Sequence, residues 1–123
     1  MEFKNLIGKT LTEIRGAEKE SEEIVFTCSD GSEYKMFHGQ DCCESVLVED
    51  VCGDVVDLLG SPIIKASEDS NNEPIKGHQP EYEYSFTWTF YNIATRKGHV
   101  TIRWYGESNG YYSEKVTFKQ IQK

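Results

Sequence analysis

Between Glu81 and Phe118 large side chains recur at every second position, and this stretch restricts the possible folds more than any other. Tyr82, Tyr84, Phe86, Trp88 and Phe90 alternate with small or polar residues, as do Val100, Ile102 and Trp104, and then Val116 and Phe118. In a strand, residues two apart share a face. β-branched and aromatic residues in period two, separated by Gly-containing turns, mark antiparallel strands. Both tryptophans lie here, so the stretch is expected to hold the core, with Trp88 and Trp104 on one inner face.

Turn chemistry predicts the pairings. A three-residue Ser29-Asp30-Gly31 loop with a left-handed Gly31 sets Ile24 opposite Met36 and Phe26 opposite Tyr34. A two-residue loop would set Phe26 opposite Lys35. The same rule applied to Arg96-Lys97-Gly98 pairs Phe90 with Trp104. Applied to Ser108-Asn109-Gly110, it pairs Ile102 with Val116 and Val100 with Phe118.

Upstream, strands are expected over residues 10–17, 22–28, 33–38, 44–51 and 63–67. Gly53-Asp54 opens a short helical segment that Gly60 and Pro62 stop. The predicted architecture is a single α+β domain over residues 1–123. It consists of a mostly antiparallel, twisted β-sheet of about six to eight strands with one short helix near 53–59, and a flexible loop at about 67–80. A chain of this length supports one core.

Charge is unevenly spread. The formal net charge is −8. Residues 85–123 carry six Lys/Arg against two Asp/Glu, and residues 1–84 carry seven against nineteen. From Met36 to Ile64 there is no Lys or Arg, while Asp41, Glu44, Glu49, Asp50, Asp54 and Asp57 all fall there. This balance argues against direct nucleic-acid binding, which needs cations to neutralise phosphates. It suits docking on a basic partner surface, although an acidic solvated face serves solubility equally well. No apolar run is long enough to span a membrane. The first residues lack a secretory pattern, so the expected location is the cytosol.

Cys28, Cys42, Cys43 and Cys52 are then expected as reduced, structural thiols. His38, Asp41, Cys42 and Cys52 are candidate zinc ligands, but they lack the paired spacing of a strong zinc signature. The acidic surroundings of Cys42 and Cys43 disfavour a reactive thiolate. Glu107 and Glu114 flank an aromatic hairpin tip, which is either a ligand-stacking pocket or a braced turn. Nucleotide-binding signatures are absent, and Gly8-Lys9-Thr10 lacks the rest of a phosphate loop. No catalytic residue, metal or cofactor is expected, so the chain is not expected to be an enzyme.

Two segments carry a resemblance: Gln40-Asp41-Cys42-Cys43-Glu44 running into Val48-Glu49-Asp50-Val51-Cys52-Gly53-Asp54, and Thr101 to Glu114 with Trp104-Tyr105-Gly106-Glu107-Ser108-Asn109-Gly110-Tyr111-Tyr112 at its centre. From about Cys28 to Phe118 the chain resembles an uncharacterised family of short phage and prophage proteins. The resemblance implies a phage context and no assigned activity.

In that context a small acidic protein is expected to inhibit a host defence complex, in an anti-CRISPR-like or other anti-defence role, by presenting carboxylates where the partner receives phosphates. The expected partner-facing residues are Asp41, Glu44, Glu49, Asp50, Asp54, Asp57, Tyr105, Glu107, Asn109 and Tyr111. Exposed tyrosines are frequent anchors of such contacts. The alternatives are a metal- or small-ligand-binding module using His38–Cys43 or the Trp104–Tyr112 hairpin, and a phage structural or assembly protein. A homodimer through an exposed edge strand is a further expectation to be tested.

Overall fold

The computed structural model describes residues 2–40, 44–71, 85–108 and 113–122. Among the described residues eight strands run in chain order: β1 (Leu11–Arg15), β2 (Glu23–Cys28), β3 (Glu33–Phe37), β4 (Ser45–Cys52), β5 (Lys65–Asn71), β6 (Ser85–Thr95), β7 (Gly98–Ser108) and β8 (Thr117–Gln122). They form two four-stranded antiparallel sheets, ordered β1-β2-β3-β8 and β4-β7-β6-β5. The expected number of antiparallel strands is therefore present, divided between two layers. The helix expected near 53–59 is a four-residue 3-10 turn, Val55–Leu58, and a second such turn covers Phe3–Leu6. Asp54 starts the later turn by accepting a hydrogen bond from the Val56 N–H at 3.1 Å, the local role of an N-cap carboxylate. Of the loop expected at about 67–80, residues 67–71 belong to β5, and residues 72–80 lie outside the described residues.

One core joins the sheets. Ile24, Phe26, Met36 and Phe118 from the first sheet pack with Val48, Tyr91, Ile93, Ile102 and Trp104 from the second. The Trp104 indole N–H points to the Met36 sulfur at 3.1 Å. Phe3 closes one end, its ring 4.8 Å from that of Tyr91 and 5.5 Å from that of Phe118.

The β2–β3 hairpin has the predicted register, with Ile24 opposite Met36 and Phe26 opposite Tyr34. Gly31 takes φ +90°, a left-handed conformation that costs a side chain little only when there is none. Asp30 stiffens the turn: its carboxylate accepts from the Ser32 N–H at 2.9 Å and from the Lys9 ammonium at 2.7 Å. The Lys9 ammonium, followed by the Ser32 donors, holds the Asp30 carboxyl well below the usual carboxylate range.

The last third differs from expectation. Thr89, not Phe90, stands opposite Trp104, and Trp88 stands opposite Tyr105. The β6–β7 connection is a two-residue turn at Arg96 and Lys97, with Thr95 paired to Gly98, one residue shorter than predicted. Since cross-strand partners share a face, Trp88 and Trp104 lie on opposite faces of the second sheet. Tyr91 and Ile93 occupy the inner face of β6, while Phe86, Trp88 and Phe90 occupy the outer one. The predicted β7–β8 pairing is also absent. β8 crosses to the first sheet, where Phe118 pairs with Met36 rather than with Val100.

Candidate functional site

The carboxylates expected to form one partner-facing surface fall into three environments. Glu49 occupies a bulge in β4, where the register shifts between Val48 and Asp50. A bulge leaves two residues facing one, and here it brings both Glu49 and Asp50 to Arg103. The Arg103 guanidinium binds the Glu49 carboxylate through two nitrogens and lies 3.8 Å from Asp50. It also sits 5.3 Å from the Trp88 ring on the outer face, a cation–π arrangement. Glu49, Asp50 and Asp57 are half-buried, and Asp54 is exposed. The Asp57 carbonyl accepts from the Thr95 hydroxyl.

Glu44, Tyr105 and Glu107 do not form the expected surface. The Glu44 side chain is fully buried and lies 2.8 Å from His38 Nε2, while His38 Nδ1 faces the Lys115 carbonyl at 2.6 Å. The imidazole therefore ties the end of β3 to the start of β4 and to the segment entering β8. Tyr105 and Glu107 are 7% and 6% exposed on the outer face of β7. Burial, and then the adjacent Glu107 carboxylate, push the Tyr105 hydroxyl far above its usual pKa. Asp41, Cys42, Asn109 and Tyr111 lie outside the described residues.

The two zinc candidates among the described residues, His38 and Cys52, lie far apart. His38 is at the Glu44 end of β4, and Cys52 is at the other end, roughly 23 Å away at a rise of about 3.3 Å per residue. Cys52 instead points its exposed thiol to Asp50 at 3.6 Å. Cys28 is buried, and that burial raises its thiol pKa. Among the described residues no three His, Cys, Asp or Glu side chains are grouped to hold a metal. Glu107 and Glu114 are separated by the sheet. Glu107 is on the outer face of β7, and Glu114 packs against Gly106 and Ser108 on the inner one. They cannot flank one bond.

Three acids not among the expected partner-facing residues lie near the site. Glu18, Glu20 and Glu22, all exposed, lie between β1 and β2. Glu20 N–H donates to the Val48 carbonyl at 2.7 Å and Val48 N–H to the Ser21 carbonyl at 2.9 Å, so this turn is bonded directly to β4. A shallow groove of about 430 Å³ opens between Ala17, Glu18 and Lys19 on one side and Asp50, Gly53 and Asp54 on the other. One end of the sandwich thus carries carboxylates from two distant parts of the chain. No local pattern marks their meeting, which depends on two backbone hydrogen bonds spanning more than twenty residues.

Among the described residues no helix is long and apolar enough to cross a membrane. Residues 4–118 match the family described as a domain of unknown function (DUF7448), and the chain belongs to that family. No curated protein and no solved structure matches it.

Proposed function

We propose that this protein is a non-enzymatic binding protein whose acidic end docks on a basic surface of a partner protein. The observation that carries this reading is the meeting of exposed Glu18 and Asp54 and half-buried Asp50 around a shallow groove that Lys19 also lines, with exposed Glu20 and Glu22 on the same turn as Glu18. An open rim of exposed carboxylates suits contact with a protein surface better than enclosure of a substrate. Charge of one sign speeds encounter and sets orientation against an oppositely charged patch. The resemblance to short phage and prophage proteins supports a nucleic-acid-binding host defence complex as that partner, inhibited by carboxylates standing where phosphates bind.

The test is capture of host proteins by immobilised wild-type protein and by a Glu18→Lys, Glu20→Lys, Asp54→Lys variant, at low and high salt. A partner retained by the wild type, released by salt and lost by the variant is expected. A Glu13→Lys variant, altered away from the groove, should retain it. Equal capture of that partner by the triple variant overturns the proposal.

A further inference from the structure

The two layers separate where residues 113–116 pass under the second sheet on the way to β8. A cleft of about 360 Å³ opens there, walled by Glu68, Ser70, Thr87, Thr89, Glu114 and Lys115. It shares Glu68, Lys115 and Val116 with an adjoining trough of about 620 Å³, whose apolar side is formed by Phe3, Ala66, Val116 and Phe118. The two adjoin along these shared residues as a channel, the cleft mostly polar and the trough apolar on one side, with Glu2 and Lys4 on its other side.

In the polar cleft lies a buried carboxylate. Glu114 is 9% exposed. The Thr87 hydroxyl donates to its Oε1 at 2.6 Å, and the Ser108 hydroxyl to its Oε2 at 2.5 Å. Gly106 permits this position, because a Cβ there would stand 2.9 Å from the Glu114 Cβ. Among the described residues no Lys, Arg or His lies within ion-pair distance of this carboxylate. Lys115 reaches the cleft wall but is not paired with it. Removing a carboxylate from water without a counter-charge is costly, and two neutral hydroxyl donors offset only part of that cost.

We infer that this channel binds a primary alkylammonium group, with its charged head on Glu114 and its hydrocarbon stem along Val116 and Ala66. An ammonium has three donors and no acceptor. It can bond the remaining Glu114 lone pairs and the hydroxyl oxygens of Thr89 and Ser70, with Glu68 adding negative charge at the rim. The geometry fits other cations less well. A guanidinium needs both carboxylate oxygens open for a paired fork, and here each already receives a hydroxyl. A hard metal ion needs six or more oxygen ligands, and a single buried carboxylate leaves it underfilled. The ammonium has two sources of the same chemistry, a free alkylamine or a lysine side chain of a partner.

Amide NMR spectra of the full chain, titrated with hexylamine, test this site. Shifts are expected at Glu68, Thr87, Thr89 and residues 114–116, weakened about tenfold in Glu114→Gln, the loss of about one charge-assisted hydrogen bond. Because Glu114→Gln can disturb packing, Glu68→Gln at the exposed rim provides a second variant. It should weaken binding a few-fold while the remaining spectrum stays unchanged. Nα-acetyl-lysine methylamide binding more tightly than hexylamine identifies a partner's lysine as the source, and the reverse identifies a free amine. Equal shifts with hexanol, the same shifts with calcium chloride alone, or none at about 10 mM hexylamine would each overturn the inference. The acidic groove between the β1–β2 turn and β4 has none of these residues, so this result and the capture experiment fail independently.

Discussion

In the β2–β3 hairpin a three-residue loop with a left-handed glycine joins two strands. In the β6–β7 hairpin two residues suffice, and neither Arg96 nor Lys97 has a positive φ. The larger difference lies in what each pair of strands covers. β2 and β3 set Ile24, Phe26, Tyr34 and Met36 against the core, and charged or half-exposed residues such as Glu23, Lys35 and Glu33 on the other side. β6 and β7 bury large side chains on both faces: Trp104, Tyr91 and Ile102 inside, Trp88 and Tyr105 outside. A one-residue slip in the first hairpin would expose its whole apolar set. In the second it exchanges one aromatic row for another, so alternation alone does not select the register.

The largest effect that can break this comparison comes from truncating the two tryptophans. Trp104→Ala and Trp88→Ala should each cost about 3–5 kcal/mol by urea unfolding, the range for large buried aromatics. Trp104→Ala is expected at the upper end, since it also removes the contact with Met36. A cost below about 1 kcal/mol for Trp88→Ala would show that the outer face is only lightly covered and that the two hairpins are alike.

The buried tyrosines sharpen it next. Burial, and then Glu68 facing it across the β5–β6 pair, push the Tyr91 hydroxyl far above its usual range; Tyr105 is shifted in the same direction on the opposite face. Both groups favour the neutral form when folded. Their contribution to stability is whole below about pH 10, the unfolded value, and declines as pH rises above it. Absorbance titration of the seven tyrosines should show at least two that remain protonated until the protein unfolds in alkali. Ionisation of all seven near pH 10, in a chain still folded, would contradict burial on both faces.

The smallest expected effect separates the turns themselves. Gly31→Ala should cost about 1 kcal/mol, because alanine resists the left-handed backbone. Arg96→Ala in the other turn should stay within about 0.5 kcal/mol, as for an ordinary surface position. Equal costs would mean that the two turns do not differ in the conformation they demand.

The acidic end shows a similar division. Asp50 and Asp54 were readable as surface acids from the run without Lys or Arg around them, and Asp54 sits where a first-turn acid belongs. Glu44 belonged to the same run but is buried, because His38, just after β3, takes up its carboxylate. Glu18, Glu20 and Glu22 have no sequence link to that run until backbone bonds to Val48 join their turn to β4. The crossing of β8 to the first sheet was invisible for the same reason: Val116 and Phe118 alternate correctly for either sheet.

From sequence alone came the strand periodicity, the antiparallel class, the β2–β3 turn with its register, and the unequal distribution of charge. All of these rest on contacts between near neighbours or on composition. Tertiary structure decided which aromatic row faces the core, which sheet receives β8, and which carboxylates meet solvent. Those outcomes depend on what stacks against each face from distant parts of the chain, and an alternating strand fits a second layer equally well on either side.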